Sequence, residues 1–328
     1  MAYQSHGFSP KEWRVAVVSD NGDAGATGIG STMFQLDVDS VSMPSLNVNQ
    51  VLDVRSGVGR TLKDEDFFQD NTLKIPEISL SGTMHLDDGH KLLLQNICND
   101  VSGDIAVATN FSPASQKYGA SIANSASSLT LVMQPSDVTN QQGMEFFGCV
   151  VTSFTLSADS TEEGGRYKFS ATLQTGKVPD LASTANPTIT AYANTTDCFL
   201  NSASGIKVYA TDAIMQSFSV NIESPAVFTG FESTGFQTVN RGAEISVTTE
   251  STIKYDGSTK GLINSFGTQT SHLAGNALVI TNNNSYGVSM PNAVLTDVAL
   301  NEGDLMMLDV AMKAVDAGAD LITFDITS

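Results

Sequence analysis

The segment Glu77-Ile78-Ser79-Leu80, which leads into a turn and a helix-forming run, recurs as Glu244-Ile245-Ser246-Val247. Later residues match in the same order when the second copy is given one extra residue: Asp88-Gly89 with Asp256-Gly257, Leu94 with Leu262, Asn96 with Asn264, Val150–Leu156 with Val294–Leu300, and Phe169, Ala171 and Leu173 with Leu308, Val310 and Met312. One match between strand sequences has little weight, whereas several in the same order indicate a duplication. A period this long predicts two copies of one domain rather than a solenoid of short repeats.

Length and composition agree with two soluble domains. A chain of 328 residues is long enough to build two cores. Its 35 acidic and 16 basic residues give a net charge of -19, which disfavours non-specific binding to DNA or to an anionic membrane surface. No stretch is typical of a membrane span or a signal peptide, so we expect a soluble protein that contacts no membrane. Cys98, Cys149 and Cys198 are predicted to be buried free thiols.

Strand signals dominate the chain, because short runs of alternating apolar and polar residues are separated by Gly, Asn, Asp and Ser. The runs Phe34–Asp39 and Phe218–Glu223 are typical of half-buried antiparallel strands. A hairpin is predicted from Val150–Leu156 and Tyr167–Leu173, with an acidic, glycine-containing tip at residues 159–165. Its partner in the second half turns at residues 301–304.

Helices are predicted only at Lys91–Asn99 and Thr259–Phe266. The fold class is therefore mainly β, with two tandem antiparallel β-sandwich or barrel-like domains that each carry one short flanking α-helix. The predicted organisation is an N-terminal arm at 1–31, a first domain at 32–178, a linker region at 179–204 with an edge strand near 188–192, and a second domain at 205–328.

Two stretches, at residues 20–31 and 52–72, are typical of long loops or arms rather than core. The second carries both charge signs and two adjacent aromatic residues. It is either a mobile surface loop or an arm that docks on a neighbouring subunit. The residues proposed for docking are Arg55, Arg60, Asp64, Asp66, Phe67 and Phe68.

Motifs for chemistry are lacking, and we predict no catalytic, cofactor-binding or metal site. Gly25–Gly30 follows an apolar run but has the spacing G-x-x-G-x-G and no helix after it, which disfavours a nucleotide loop. His85, Asp87, Asp88 and His90 lie close in sequence. Strand alternation and the turn at Gly89 are expected to spread these side chains over the surface rather than gather them around a metal ion. No G-x-S-x-G elbow marks a nucleophile, so we do not expect an enzyme.

The second half resembles the tail tube proteins of long-tailed bacteriophages. The resemblance covers residues 205–315 well and 32–175 more loosely, and it rests on these segments: Ser217–Ile222, Gly242–Val247, Lys254–Gly257, Leu262–Phe266 and Ser285–Thr296. The first copy departs from the pattern by a long insertion between Asn99 and Ser127. These motifs are strand patterns without a catalytic signature.

This resemblance implies β domains that stand side by side in a ring and form a continuous inner β-barrel, with the rings stacked into a tube. Single-domain relatives form hexamers, so a chain with two domains would close as a trimer with pseudo-six-fold symmetry. The implied location is the virion tail, after synthesis in the host cytoplasm. The implied partners are further copies of the chain and the tape measure, baseplate or initiator, and tail terminator proteins. DNA would pass through the lumen without specific binding.

The acidic composition suits such a lumen, because carboxylates repel the phosphate backbone at short range whereas Lys and Arg would retain it. Polar positions on the predicted strands are the candidates for the lumen wall: Asp37, Asp39, Asn221 and Glu223. The other interpretation is that they face solvent on the outside. Alternative functions are another β-rich virion protein, such as a minor tail, baseplate or head decoration protein, and a β-sandwich binding or adhesion module. Sparse aromatic residues and the single Trp13 disfavour a sugar-binding platform.

Overall fold

The fold is mainly β, as the sequence predicts. The computed structural model describes residues 12–19, 32–42, 47–52, 67–74, 77–98, 109–111, 128–135, 143–176, 179–183, 187–192, 198–231, 237–241, 245–282, 286–317 and 321–326. Three free cysteines, Cys98, Cys149 and Cys198, are buried, which confirms that prediction.

The elements of the first half are β1 (Trp13–Ser19), β2 (Met33–Leu36), β3 (Val38–Val41), β4 (Asn47–Leu52), β5 (Phe67–Lys74), β6 (Ile78–Thr83), α1 (Asp88–Cys98), β7 (Thr109–Phe111), β8 (Leu129–Pro135), β9 (Gly143–Asp159), β10 (Lys168–Gln174), β11 (Asp180–Ser183) and β12 (Ile189–Thr190). Those of the second half are β13 (Ala203–Val208), β14 (Thr211–Asp212), β15 (Met215–Glu223), β16 (Ala226–Phe231), β17 (Gln237–Arg241), β18 (Ser246–Lys254), α2 (Gly261–Thr268), β19 (Leu273–Asn282), β20 (Tyr286–Glu302), β21 (Met306–Ala314) and β22 (Ile322–Ile326).

Strand pairing repeats between the halves. The order is β3-β6-β10-β9 in the first half and β15-β18-β21-β20 in the second, with all neighbours antiparallel. The long strands β9 and β20 have 17 residues each, and their first halves pair with another layer through β8 and β19. In both halves a separate two-stranded hairpin, β4–β5 or β16–β17, follows the first strand of this order.

The β-bulges also repeat, and they fix which residues correspond. The β9–β10 register shifts at Thr152 and the β20–β21 register shifts at Thr296. The match of Val150–Leu156 with Val294–Leu300 predicted from sequence is therefore confirmed by the bulge position. A second shift lies between Val38 and Ser40 in β3 and between Met215 and Ser217 in β15, so these strands correspond as well.

Other correspondences predicted from sequence are wrong. Thr83 N–H donates to the Asp37 carbonyl, and Lys254 N–H donates to the Ile214 carbonyl in the same way. Thr83 therefore corresponds to Lys254. The alignment of Glu77 with Glu244 is wrong by four residues. The run at residues 34–39 is also two strands rather than one, because β2 pairs with β1 while β3 pairs with β6. The alignment from sequence matches residues of similar type, whereas the alignment from structure matches residues with the same position in the strand register.

Both predicted helices are present, with shifted bounds, and each one holds the bulged strand through an amide side chain. Asn96 of α1 accepts a hydrogen bond from Val151 N–H at 2.7 Å. Gln269, directly after α2, accepts one from Leu295 N–H at 2.9 Å and donates to the Leu295 carbonyl at 3.1 Å. Val151 and Leu295 each directly precede the bulge residue, where the regular ladder is interrupted. Asn96 thus corresponds to Gln269 and not to Asn264.

Removing the Asn96 amide is expected to destabilise the fold. Asn96→Ala leaves the buried Val151 N–H without its acceptor, which costs about 1–3 kcal/mol in free energy of unfolding. Asn264→Ala is the matched control, because Asn264 is exposed and we expect a change within about 0.5 kcal/mol. Urea denaturation of the two variants measures the difference. Equal losses would contradict the assigned role of Asn96.

The region between the halves, at residues 179–204, is integrated with the first half where it is described. β11 pairs with β9, and β12 pairs in parallel with β2, which confirms a strand within residues 188–192. A short 3-10 helix at Leu200–Ser202 then leads into β13. The described residues of this region up to Leu200 are therefore packed against strands of the first half, and Ala203 and Ser204 already pair with β19 of the second half.

Candidate assembly interface

The two halves are joined edge to edge within one sheet. β9 pairs with β15 over seven residue pairs, from Ser153 opposite Glu223 to Asp159 opposite Ser217. The order β3-β6-β10-β9-β15-β18-β21-β20 therefore forms a continuous antiparallel sheet, here termed the eight-stranded sheet. We term the contact of β9 with β15 the internal junction.

One face of the eight-stranded sheet is apolar and buried. Its side chains include Phe154, Leu156, Phe169, Val220 and Ile222, all at 3% exposure or less. They pack in the same core as residues of α1 and of the layer formed around β8 and β19. This face is occupied by the chain itself, so only the other face and the two edges of the sheet remain for further contacts.

The opposite face, here termed the polar face, carries hydroxyl, amide and charged side chains. Thr155 donates to Asn221 Oδ1 at 3.1 Å across the internal junction, and Asn221 in turn donates to Glu223 Oε1 at 3.1 Å. Thr252 donates to Asp309 Oδ1 at 2.7 Å. Strand alternation places six carboxylates and three lysines of the eight strands on this face: Asp39, Asp159, Glu223, Glu250, Asp297, Asp309, Lys168, Lys254 and Lys313. The polar face is therefore net acidic.

Both edges of the eight-stranded sheet are open within the part of the chain that the structure describes. Among the described residues, β3 pairs with no strand besides β6, and the segment of β20 from Val294 to Glu302 pairs with none besides β21. In the first half, the segment of β9 that corresponds to this part of β20 is the one covered by β15. The open edge of β20 thus corresponds to the edge of β9 that pairs with β15 inside the chain.

Exposed apolar side chains coincide with the open edge. Leu300 and Met306 are 45% and 47% exposed, although the corresponding residues Leu156 and Tyr167 are fully buried. Leu156 lies opposite Val220, and Tyr167 makes an edge-to-face contact with Phe218 at a centroid distance of 5.3 Å. Both partners belong to β15. Leu300 and Met306 are therefore exposed because no described strand takes the place of β15 beside β20 in the single chain.

Three of the four lumen candidates, Asp39, Asn221 and Glu223, lie on the polar face. Asp39 is 3.6 Å from Lys168 Nζ. Asp37 lies between β2 and β3, and its Oδ2 is 2.8 Å from Nε2 of the buried His85. This hydrogen bond lowers the pKa of Asp37, against the opposing effect of its partial burial. The Asp37 carboxylate is therefore directed towards His85, which precedes α1.

The histidine prediction is wrong. His85 and His90 are fully buried rather than spread over the surface, and their ring centroids are 5.3 Å apart. His90 Nδ1 lies 2.6 Å from Asp87 Oδ1, so each imidazole contacts its own carboxylate. Across the described parts of the chain, no three His, Cys, Asp or Glu side chains are grouped as metal ligands. Neither of the described helices has the length and apolar character needed to cross a membrane.

The arm prediction is only partly covered by the structure. Arg55, Arg60, Asp64 and Asp66 lie outside the described residues, as do residues 20–31. The backbone of Phe67 and Phe68 opens β5 and pairs with Leu52 and Val51 of β4. The corresponding hairpin β16–β17 was not predicted, since its sequence lacks the charged pattern that marked the first. Docking of either hairpin on another subunit stays a prediction.

Comparison with known proteins gives a weak structural likeness. No protein-family model and no curated protein matches the chain. A solved chain described as "Virion of native gene transfer agent (GTA) particle" is similar at 12% sequence identity and a TM-score of 0.25, over 38% of this chain and 88% of that chain. A TM-score of 0.25 does not establish a common fold.

Proposed function

We propose that this chain is a structural virion protein without enzymatic activity, which polymerises as stacked rings to form the tube of a phage tail. DNA would pass through this tube into the host cell. The sequence resemblance to tail tube proteins suggests the family. The observation that carries the proposal is the internal junction between β9 and β15. The two open edge strands, β20 and β3, correspond to β9 and β15.

Repeating the internal junction between chains defines the contact. β20 corresponds to β9, and β3 corresponds to β15, so β3 of one chain would pair with β20 of its neighbour. Ser217, Phe218 and Ser219 lie opposite Asp159, Ala158 and Ser157. The equivalent contact places Ser40, Val41 and Ser42 opposite Gly303, Glu302 and Asn301 of the neighbouring chain. Exposed Leu300 and Met306 would then be covered as Leu156 and Tyr167 already are.

Three chains would close such a ring with pseudo-six-fold symmetry. Each chain supplies two equivalent four-stranded units, so a trimer places six units around the axis. For strands about 4.8 Å apart with a tilt of about 40°, the backbone barrel would be about 50 Å across, which leaves room for a DNA duplex. The polar face would line the lumen, because the other face is buried in the core of each chain.

Ring stacking is the second contact that a tube requires. The hairpins β4–β5 and β16–β17 are two-stranded sheets separate from the eight-stranded sheet, one in each half. We assign them to contacts between successive rings, at six equivalent positions in a trimer. Tape measure, initiator and terminator proteins are proposed partners at the inside and the two ends of the tube.

A disulfide across the proposed edge tests the function. Ser157 and Ser219 lie opposite each other on the polar face at the internal junction, and Asn301 and Ser42 are their equivalents across the proposed edge. Cα atoms of directly opposed residues are about 4.5–5.5 Å apart, which is within the range for disulfides. We expect Ser42→Cys with Asn301→Cys to join neighbouring chains on mild oxidation, to a covalent species no larger than the closed ring.

Two controls accompany this experiment. Ser157→Cys with Ser219→Cys is expected to form a disulfide within one chain, which shows that the geometry permits the bond. Ser42→Cys alone should give no ladder of cross-linked chains. Electron microscopy of the same samples should show hollow tubes with three-fold or pseudo-six-fold end views. Assembled particles without the inter-chain disulfide would contradict the proposed edge, and a folded species that never assembles, even with tail initiator components, would contradict the tube.

A further inference from the structure

The tip of the β9–β10 hairpin is covered by the segment that leads into the second half. Tyr167 N–H donates to the Cys198 carbonyl at 2.9 Å, and Leu200 N–H donates to the Gly165 carbonyl at 2.7 Å. Arg166 and Phe199 form an isolated antiparallel bridge between these bonds. The segment Cys198–Ser202 thus adds a short strand-like contact to the hairpin tip, with Cys198 and Leu200 buried.

The corresponding tip of the β20–β21 hairpin has no such cover among the described residues. Arg166 and Tyr167 correspond to Leu305 and Met306, which are 75% and 47% exposed. Ile214, the counterpart of Asp37, is 63% exposed at the same end of the sheet. In the first half, Arg166 and Asp37 lie 3.9 Å apart as an ion pair. The second half has an apolar patch in its place, here termed the tip patch (Ile214, Leu305 and Met306).

The strand register identifies the segment equivalent to Cys198–Ser202. β13 pairs with β19 in the second half as β1 pairs with β8 in the first. β19 in turn pairs with β20, and β8 pairs with the corresponding strand β9. Following these registers from β20 and β9 outward aligns Val208 of β13 with Val17 of β1. Counting back from these residues aligns Phe199 with Phe8, and Cys198–Ser202 with residues 7–11. Residues 7–11 lie outside the described residues, so only the sequence can be compared there: it has an aromatic residue, Phe8, at the position that corresponds to Phe199.

We propose that residues 7–11 of one subunit cover the tip patch of the neighbouring subunit, with Phe8 against Leu305. This inference rests on the proposed ring, since it repeats the internal junction between chains. Within the chain, Cys198–Ser202 covers the β9–β10 hairpin and leads into the second half, whose strand β15 pairs with β9. Between chains, β3 of one subunit would pair with β20 of its neighbour. Residues 7–11 of the first subunit would then cover the β20–β21 hairpin of that neighbour.

The contact inside the chain involves charged residues, whereas the proposed contact between subunits is apolar. Inside the chain, Phe199 lies across from Arg166, whose guanidinium also approaches the Asp37 carboxylate. At the tip patch, Leu305 and Ile214 replace these two charged residues, so Phe8 would meet an apolar surface. Burial of the exposed Leu, Met and Ile side chains beneath an aromatic ring removes apolar surface from water, which favours the contact.

Cysteine pairs test this contact in the full chain. Phe8→Cys with Leu305→Cys is expected to give inter-chain disulfides in assembled rings, and Arg166→Cys with Phe199→Cys is the intrachain template. Phe8→Cys with Ser246→Cys is the negative control, because Ser246 lies at the far end of the eight-stranded sheet, opposite Glu223. Peptide mapping identifies the bonds formed. In addition, Phe8→Ala should raise the concentration needed for assembly about tenfold.

The outcomes separate this contact from the ring itself. If Ser42→Cys with Asn301→Cys cross-links neighbouring chains but Phe8→Cys with Leu305→Cys reacts no more than the Ser246 control, the covering role of residues 7–11 is wrong and the ring stands. A bond between positions 8 and 305 of one chain also overturns the contact between subunits. If neither pair joins chains, the proposed ring is wrong and this inference is lost with it.

Discussion

Replacing Leu300 with proline is expected to abolish assembly while the single chain still folds. Ser160 N–H donates to the Gln216 carbonyl at 2.8 Å and Ser224 N–H donates to the Thr152 carbonyl at 2.9 Å, so even-numbered residues of β9 exchange hydrogen bonds with β15. Leu300 corresponds to Leu156, and its N–H is therefore directed to the open edge. Proline removes only that donor, and proline is tolerated on an edge strand whose N–H faces solvent.

The expected loss at the edge is large. Proline removes one ladder hydrogen bond and leaves a carbonyl of the neighbouring chain without a donor, at a cost of about 1–3 kcal/mol per contact. That weakens each association constant about 5-fold to about 150-fold, and a closed ring repeats the loss at every contact. Sedimentation velocity and electron microscopy should detect a folded monomer and no tubes, with a circular dichroism spectrum like that of the parent chain.

Two neighbouring substitutions serve as controls for this result. Leu300→Ala keeps the edge N–H and removes an exposed side chain, so it should weaken assembly less than proline does. Ala299→Pro removes an N–H directed towards β21 and should lower the stability of the single chain, since it interrupts the ladder inside the fold. Normal tubes from Leu300→Pro would show that the open edge of β20 is not the contact between subunits.

The sequence predicts those parts of the fold whose partners are close in the chain. The hairpins around residues 159–165 and 301–304 were predicted because Gly-containing turns join two alternating runs, and alternation alone assigns the buried face. The internal junction was not predicted. β9 and β15 are separated by more than fifty residues, and an alternating strand has the same pattern whichever neighbour it pairs with.

Single residues were harder to place from the sequence than strands and hairpins. Asn96 was aligned with Asn264 because the letters agree, but hydrogen bonding to a bulged strand requires only an amide at the right place, and Gln269 supplies it. Asp37 is placed on a strand face by local alternation, but alternation ends where the chain leaves the ladder between β2 and β3. His85 lies beyond the end of β6, where alternation no longer assigns a face, and its ring is buried beside His90. Leu300 and Met306 resemble ordinary core residues in sequence, and only comparison with buried Leu156 and Tyr167 marks them as an edge.

Replacing Glu250 with lysine is expected to slow the passage of DNA through assembled tubes without preventing assembly. Glu250 is an exposed residue on an interior strand of the polar face, opposite Ser219 of β15 and Ala311 of β21, and it belongs to neither edge strand. Each chain of a stacked tube carries the change, so one substitution adds lysines along the whole lumen. Every new phosphate contact steepens the salt dependence of DNA binding by about 0.9 in the logarithmic slope.

Asp212→Lys is the matched control, because it makes the same charge change at an exposed residue of β14, outside the eight-stranded sheet. Both variants should form tubes of normal appearance. Only Glu250→Lys should retain duplex DNA in purified tubes and delay DNA ejection, and the delay should shrink as salt is raised, since screening weakens phosphate contacts. Equal ejection rates for the two variants at low salt would show that the polar face does not line the path of the DNA, even if the rings form as proposed.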